Sequence, residues 1–141
     1  MYMRYGVLAD AVVSTGGGKW AAIGTFQVIW APSFPHKHQR VGILIRLEND
    51  RPDLQGDDRH SFAIDFVSPI GERINGVTGS FGLPGSEIEG APAALEIGLE
   101  IMNLVVPKAG NYDFAVRVDG SIVDMIPLYV RDVADRPAQS P

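Results

Sequence analysis

The sequence predicts an all-β domain built as an antiparallel β-sandwich, and three observations carry that expectation. Asp119-Gly120 stands between two apolar runs, a strong short-range hairpin signal because a type I′ turn needs positive φ at both central positions. Val41, Ile43, Ile45 and Leu47 alternate with Gly42, Leu44 and Arg46, the period of a strand with one buried face. The 16 Gly and 10 Pro among 141 residues favour many turns over long helices. A chain of this length buries about two-thirds of its unfolded surface. One domain is therefore expected over residues 1–130, followed by a flexible tail at 131–141.

In chain order, Tyr5 to Val13 alternates loosely and reads as a first strand. Ser14 to Lys19 is glycine-rich, yet a phosphate loop would need Gly where Val13 stands and Ser or Thr where Trp20 stands, so a hairpin turn is expected. Trp20 to Trp30 reads as one long second strand, with Gly24 marking a bulge or a close backbone approach. Ala31 to Arg40 reads as a loop because Pro32 and Pro35 cannot donate to a ladder. The alternating run Val41–Leu47 is the third strand, Glu48 to Asp58 an acidic loop, and Phe62, Ile64 and Phe66 mark the fourth strand. Ser68-Pro69-Ile70-Gly71 has the Pro and Gly placement of a tight turn, and Glu72 to Phe81 follows as an edge strand. In Ala94 to Met102 the apolar positions 95, 97, 99 and 101 alternate without a miss around a central Gly, so strand prevails over helix.

The final pair of strands carries the most detail. A two-residue loop at Asp119-Gly120 sets Val118 against Ser121, Val116 against Val123 and Phe114 against Met125. Tyr112, Phe114, Val116, Val123 and Met125 then form one apolar face, with Asp113, Ala115, Arg117, Ile122 and Asp124 on the other. Pro127 places the last strand at an edge or a bulge, which accounts for Leu128 and Val130 falling out of phase with Met125.

Gly110, Tyr112 and Phe114, following Leu104, resemble the tyrosine corner of immunoglobulin-like domains. The resemblance implies an immunoglobulin-like sandwich of about seven to nine strands. It also implies a Tyr112 hydroxyl bonded back to the upstream corner, with Phe114 where antibody domains carry a cysteine. Ala9-Asp10-Ala11, Gly18-Lys19, Ile23-Gly24, Asn103-Leu104 and Val118-Asp119-Gly120 further resemble an uncharacterised bacterial and phage family of small β-sandwich proteins. These landmarks are structural and bring no catalytic residue with them.

A net charge of -5 with no basic cluster argues against nucleic acid and against an anionic membrane surface. The absence of Cys excludes disulfides and thiolate chemistry and fits a reducing cytoplasm. The apolar run before Asp10 is shorter than a signal peptide's core, so none is expected, and no run approaches the length of a membrane helix. No catalytic or cofactor-binding residue is expected: Ser80 follows Thr78-Gly79 where a nucleophile elbow would need Gly first, and Glu96 and Glu100 share one strand face as solvent-facing residues do. The candidate metal ligands are His36 and His38, which point the same way on an extended chain, and Asp57, Asp58 and His60. The acidic run Glu48, Asp50, Asp53, Asp57 and Asp58 lacks the spacing of a Ca²⁺ loop. One of Trp20 and Trp30 is expected in the inter-sheet core. The leading functional expectation is a non-enzymatic binding or assembly module that recognises a protein partner or forms a homo-oligomer. A small-ligand or carbohydrate binder is the alternative, and a metal-dependent enzyme the third reading.

Overall fold

The computed structural model describes residues 1–49, 59–83, 85–86 and 88–138. Nine strands form two sheets: β1 (Tyr2–Gly16), β2 (Lys19–Phe26), β3 (Val28–Ala31), β4 (His36–Asn49), β5 (Arg59–Val67), β6 (Arg73–Gly82), β7 (Ala93–Val106), β8 (Gly110–Val118) and β9 (Ser121–Asp132). The four-stranded sheet runs β2-β1-β4-β7 and the five-stranded sheet β3-β9-β8-β5-β6. All pairings are antiparallel except β3 with β9.

The local turn chemistry works as expected. Gly17 and Gly18, at φ 62° and 74°, make the turn between β1 and β2, and Asp119 and Gly120, at φ 50° and 85°, make the one between β8 and β9. The Ser68–Gly71 turn closes with a 2.9 Å bond from Gly71 N–H to Ser68 carbonyl. The alternating run 93–102 is strand, paired along its length with β4.

Alternation also builds the core. Val41, Ile43, Ile45 and Leu47 of β4 meet Ile64 and Phe66 of β5, Tyr112, Phe114 and Val116 of β8, and Ile126, Leu128 and Val130 of β9. The Phe66 ring stacks on Tyr112 with centroids 5.0 Å apart and lies 4.9 Å from Phe114. The Tyr112 hydroxyl donates to the Lys108 carbonyl at 2.7 Å, closing a corner between β7 and β8.

Five expectations are corrected. The stretch Trp20–Trp30 is two strands in different sheets, because the chain leaves the first sheet at Gln27 and starts the second with β3. The proline loop is shorter than expected, and His36 to Arg40 already pair with β7. Glu48 lies in β4 and is buried, receiving hydrogen bonds from the Tyr2 hydroxyl and from Arg46 Nε. The β8–β9 register holds at Val118–Ser121 and Arg117–Ile122, then shifts so that Val116 faces Asp124 and Phe114 faces Ile126. That bulge lies beside the turn, not at Pro127, so Ile126, Leu128 and Val130 face inward while Met125 is exposed. Neither Trp is in the inter-sheet core: Phe66, Tyr112 and Phe114 fill it.

Trp20 belongs to a second, smaller cluster on the outer face of the four-stranded sheet. Val12 and Trp20 curl over Gly42 and Gly98, against Ala9, Leu44 and Ala22. Two glycines make that approach possible, since a Cβ at Gly98 would stand 2.5 Å from Trp20 Cε3. At the other end of the chain, β9 runs on through Asp132 into a 3-10 turn, Val133–Asp135, whose first turn is capped by the Asp132 side chain.

Candidate functional site

Two features stand apart from packing: a polar cleft at one end of the sandwich and an open edge along its side. The cleft forms where β4 begins. His36 and His38 lie two residues apart on an extended strand and so share a side, with His36 Nε2 3.3 Å from His38 Nδ1. Asp10 of β1 borders the same space, its carboxylate lying over Gly24, whose φ of 70° and missing Cβ leave it room. Phe26, Trp30 and Arg136 complete a cavity of about 330 Å³, and Gln39, Arg40 and Met102 line an adjoining one of about 360 Å³. Arg40 Nε donates to the Asp10 carbonyl at 2.8 Å, and the Arg136 guanidinium sits over the Trp30 ring. Burial, and then the neighbouring His36, lower the pKa of His38 against the opposing pull of Asp10. The neutral imidazole is therefore its resting form at neutral pH.

The other predicted ligands are not brought there. Asp57 and Asp58, with Asp50 and Asp53, lie outside the described residues. His60 opens β5, which follows the far end of β4, so it lies at the opposite end of the sandwich from His36 and His38. There its Nδ1 bonds Asp119 Oδ2 at 2.7 Å and its ring stacks on Phe81. Asp119 Oδ1 accepts the Ser61 amide at 3.0 Å, so the turn residue ties the hairpin to β5. Those bonds, His60 first, hold the Asp119 carboxyl below the usual carboxylate range. Among the described residues no three His, Asp or Glu side chains converge on a point able to hold a metal. Ser80 is exposed on β6, and the next element among the described residues is the strand β7. Glu96 is paired with Arg46 at 3.3 Å, whereas Glu100 is exposed.

The open edge belongs to β7. It pairs with β4 on one side, and among the described residues no strand lies on the other. Leu95, Ile97 and Leu99 pack against the core yet stay partly exposed, and Met102 and Val105 are 53% and 45% exposed. The other edge strands are shorter: β2 has 8 residues, β3 has 4 and β6 has 10. On β6 the Gly76 amide is taken by the Asn75 side chain at 2.7 Å. On β9, Tyr129 N–H reaches Gln27 of the β3 side, so Pro127, two residues earlier, turns its hydrogen-free nitrogen the same way. The neighbouring Met125 amide is capped by Asp124 Oδ1 at 2.8 Å. The sequence marked edges only through their Gly and Pro. It gave no sign that Asp10 and Arg40 meet the histidines, because contacts between strands that distant are set by topology.

These features define an all-β, two-sheet domain whose longest edge strand among the described residues is β7. The chain belongs to a family of unknown function (DUF6941), whose model matches residues 4–131. No curated protein matches it. Among solved structures it is similar to the alkylpurine DNA glycosylase AlkC of Pseudomonas fluorescens, bound to DNA containing an abasic site analog, with 22% sequence identity and a TM-score of 0.41. The match covers 74% of this chain and 28% of that one, so the chain spans a little over a quarter of that protein's length. That neighbour is named as an enzyme, so the comparisons do not uphold the expectation of a non-enzymatic chain. At this level of likeness no activity, substrate or partner passes to this chain. Among the described residues no helix is long and apolar enough to cross a membrane.

Proposed function

We propose that this chain is a binding or assembly module that recognises a protein partner by taking an extended segment of it onto the free edge of β7. The observation that carries the reading is a 14-residue edge strand, the longest of the four sheet-edge strands among the described residues, where β2, β3 and β6 have 8, 4 and 10. Main-chain bonds along β7 supply affinity. Leu95, Ile97 and Leu99 offer apolar contact on one face, and Glu100 favours a Lys or Arg opposite it on the other. The fold fits the immunoglobulin-like class: β3 runs parallel to the last strand, the two sheets divide the strands as such domains do, and the Tyr112–Lys108 corner sits between β7 and β8.

The test is selection of twelve-residue peptides from a random displayed library, followed by mapping the binders on the amide spectrum of the intact chain. Perturbations running along residues 94–105 support the reading. Binders that instead perturb the groove of about 520 Å³ lined by Gly6, Leu8, Phe26 and Ile126 would assign recognition to that side and overturn it. Sedimentation velocity of the chain alone distinguishes self-assembly, which would bury β7 without a peptide.

A further inference from the structure

The geometry points to a second site, independent of the β7 edge: a two-imidazole clamp for a divalent late-transition-metal ion at His36 and His38. Two nitrogens each about 2.05 Å from a tetrahedral Zn²⁺ stand about 3.3 Å apart. His36 Nε2 and His38 Nδ1 are separated by 3.3 Å. A strand carries the pair, so the spacing is held by backbone pairing of His36 with Val106 and His38 with Leu104. A small rotation of either ring converges both lone pairs on one point instead of sharing a proton between them.

The surroundings suit a cation. The Asp10 carboxylate borders the same cavities, and the two arginines that also line them are engaged, Arg40 Nε on the Asp10 carbonyl and the Arg136 guanidinium over the Trp30 ring. With only two protein nitrogens the ion keeps water in its remaining positions. Imidazole donors select Zn²⁺, Ni²⁺ or Cu²⁺ over Ca²⁺ and Mg²⁺.

Titration calorimetry of the intact chain with ZnCl₂ and NiCl₂ tests this, with histidine ring resonances followed in parallel for Zn²⁺. The expected result is one ion per chain, with His36 and His38 resonances moving and those of His60 still. His36→Gln and His38→Gln should each weaken binding about tenfold or more, and Asp10→Asn less. Unchanged affinity in both histidine variants, or no heat and no shift at millimolar metal, overturns the assignment. Should His38→Gln disturb the strand, His36→Gln, at its first residue, decides the matter.

Discussion

Gly98 lies beneath an indole, and filling it tests the curled packing of the four-stranded sheet. A Cβ placed there meets Trp20 Cε3 at 2.5 Å and Val12 Cγ1 at 2.8 Å, both well inside van der Waals contact. Overpacking of this kind costs about 1–3 kcal/mol. Replacing a strand glycine returns about 0.5–1 kcal/mol through the unfolded chain. Gly98→Ala should therefore lose about 1.2 kcal/mol, the midpoint of a range from about 0 to 2.5 kcal/mol. An unfolding entropy of about 2.1 cal/mol/K per residue gives about 0.3 kcal/mol/K for the chain, so the melting midpoint should fall by about 4 °C. Urea melts followed by circular dichroism measure the loss, and Trp emission should shift to the red as the indole lifts. In a Trp20→Ala background Val12 can lean into the vacated space, so the same substitution should become neutral or mildly stabilising. A Gly98→Ala variant as stable as the parent, or a cost that persists undiminished without Trp20, would refute this packing.

The remaining predictions concern the corner, the hairpin and the edge. Tyr112→Phe removes the bond to the Lys108 carbonyl and the longer one from the Lys108 amide and should cost about 1 kcal/mol, whereas Tyr112→Ala should cost about 3–5 kcal/mol, both read from denaturant midpoints. Because the Asp119 pKa is lowered on folding, its contribution is present above the ordinary carboxylate pKa of about 3.9 and is lost as pH falls through its lower folded value. Asp119→Asn keeps the turn and should flatten the stability-versus-pH curve below about pH 4; an unchanged slope there counts against the His60 and Ser61 bonds. A proline scan of residues 95–101 in β7 should give a period-two pattern. Positions whose amides pair with β4 should lose about 3 kcal/mol or more, and the alternate ones far less, as circular dichroism melts would show.

Much of the fold was legible because the signals were local. Asp119-Gly120 specifies its turn through backbone conformation, and Leu95 to Ile101 specifies a strand through side-chain period, whatever lies around them. The bulge beside the same turn was not legible. Ile122, Val123, Met125 and Ile126 are all apolar, so the pattern accepts either phase, and the inward choice is made by packing. Glu48 read as loop because nothing in its neighbourhood announces that the Tyr2 hydroxyl, from the far end of the chain, will satisfy it in a buried strand. His36 and His38 were legible as a pair because residues two apart share a side of any extended chain. Their separation from His60 follows from topology, since β4 runs its full length before β5 begins.

The central claim is that the outer side of β7 is unpaired in the free chain and becomes paired with a partner. Amide hydrogen exchange, resolved residue by residue over 94–102 with and without a selected peptide, measures this directly. The expected result is that alternate β7 amides exchange fast in the free chain and slow markedly on binding, while their β4-bonded neighbours stay protected throughout. Uniform protection of β7 without peptide, or new protection confined to Gly6–Leu8, would contradict it.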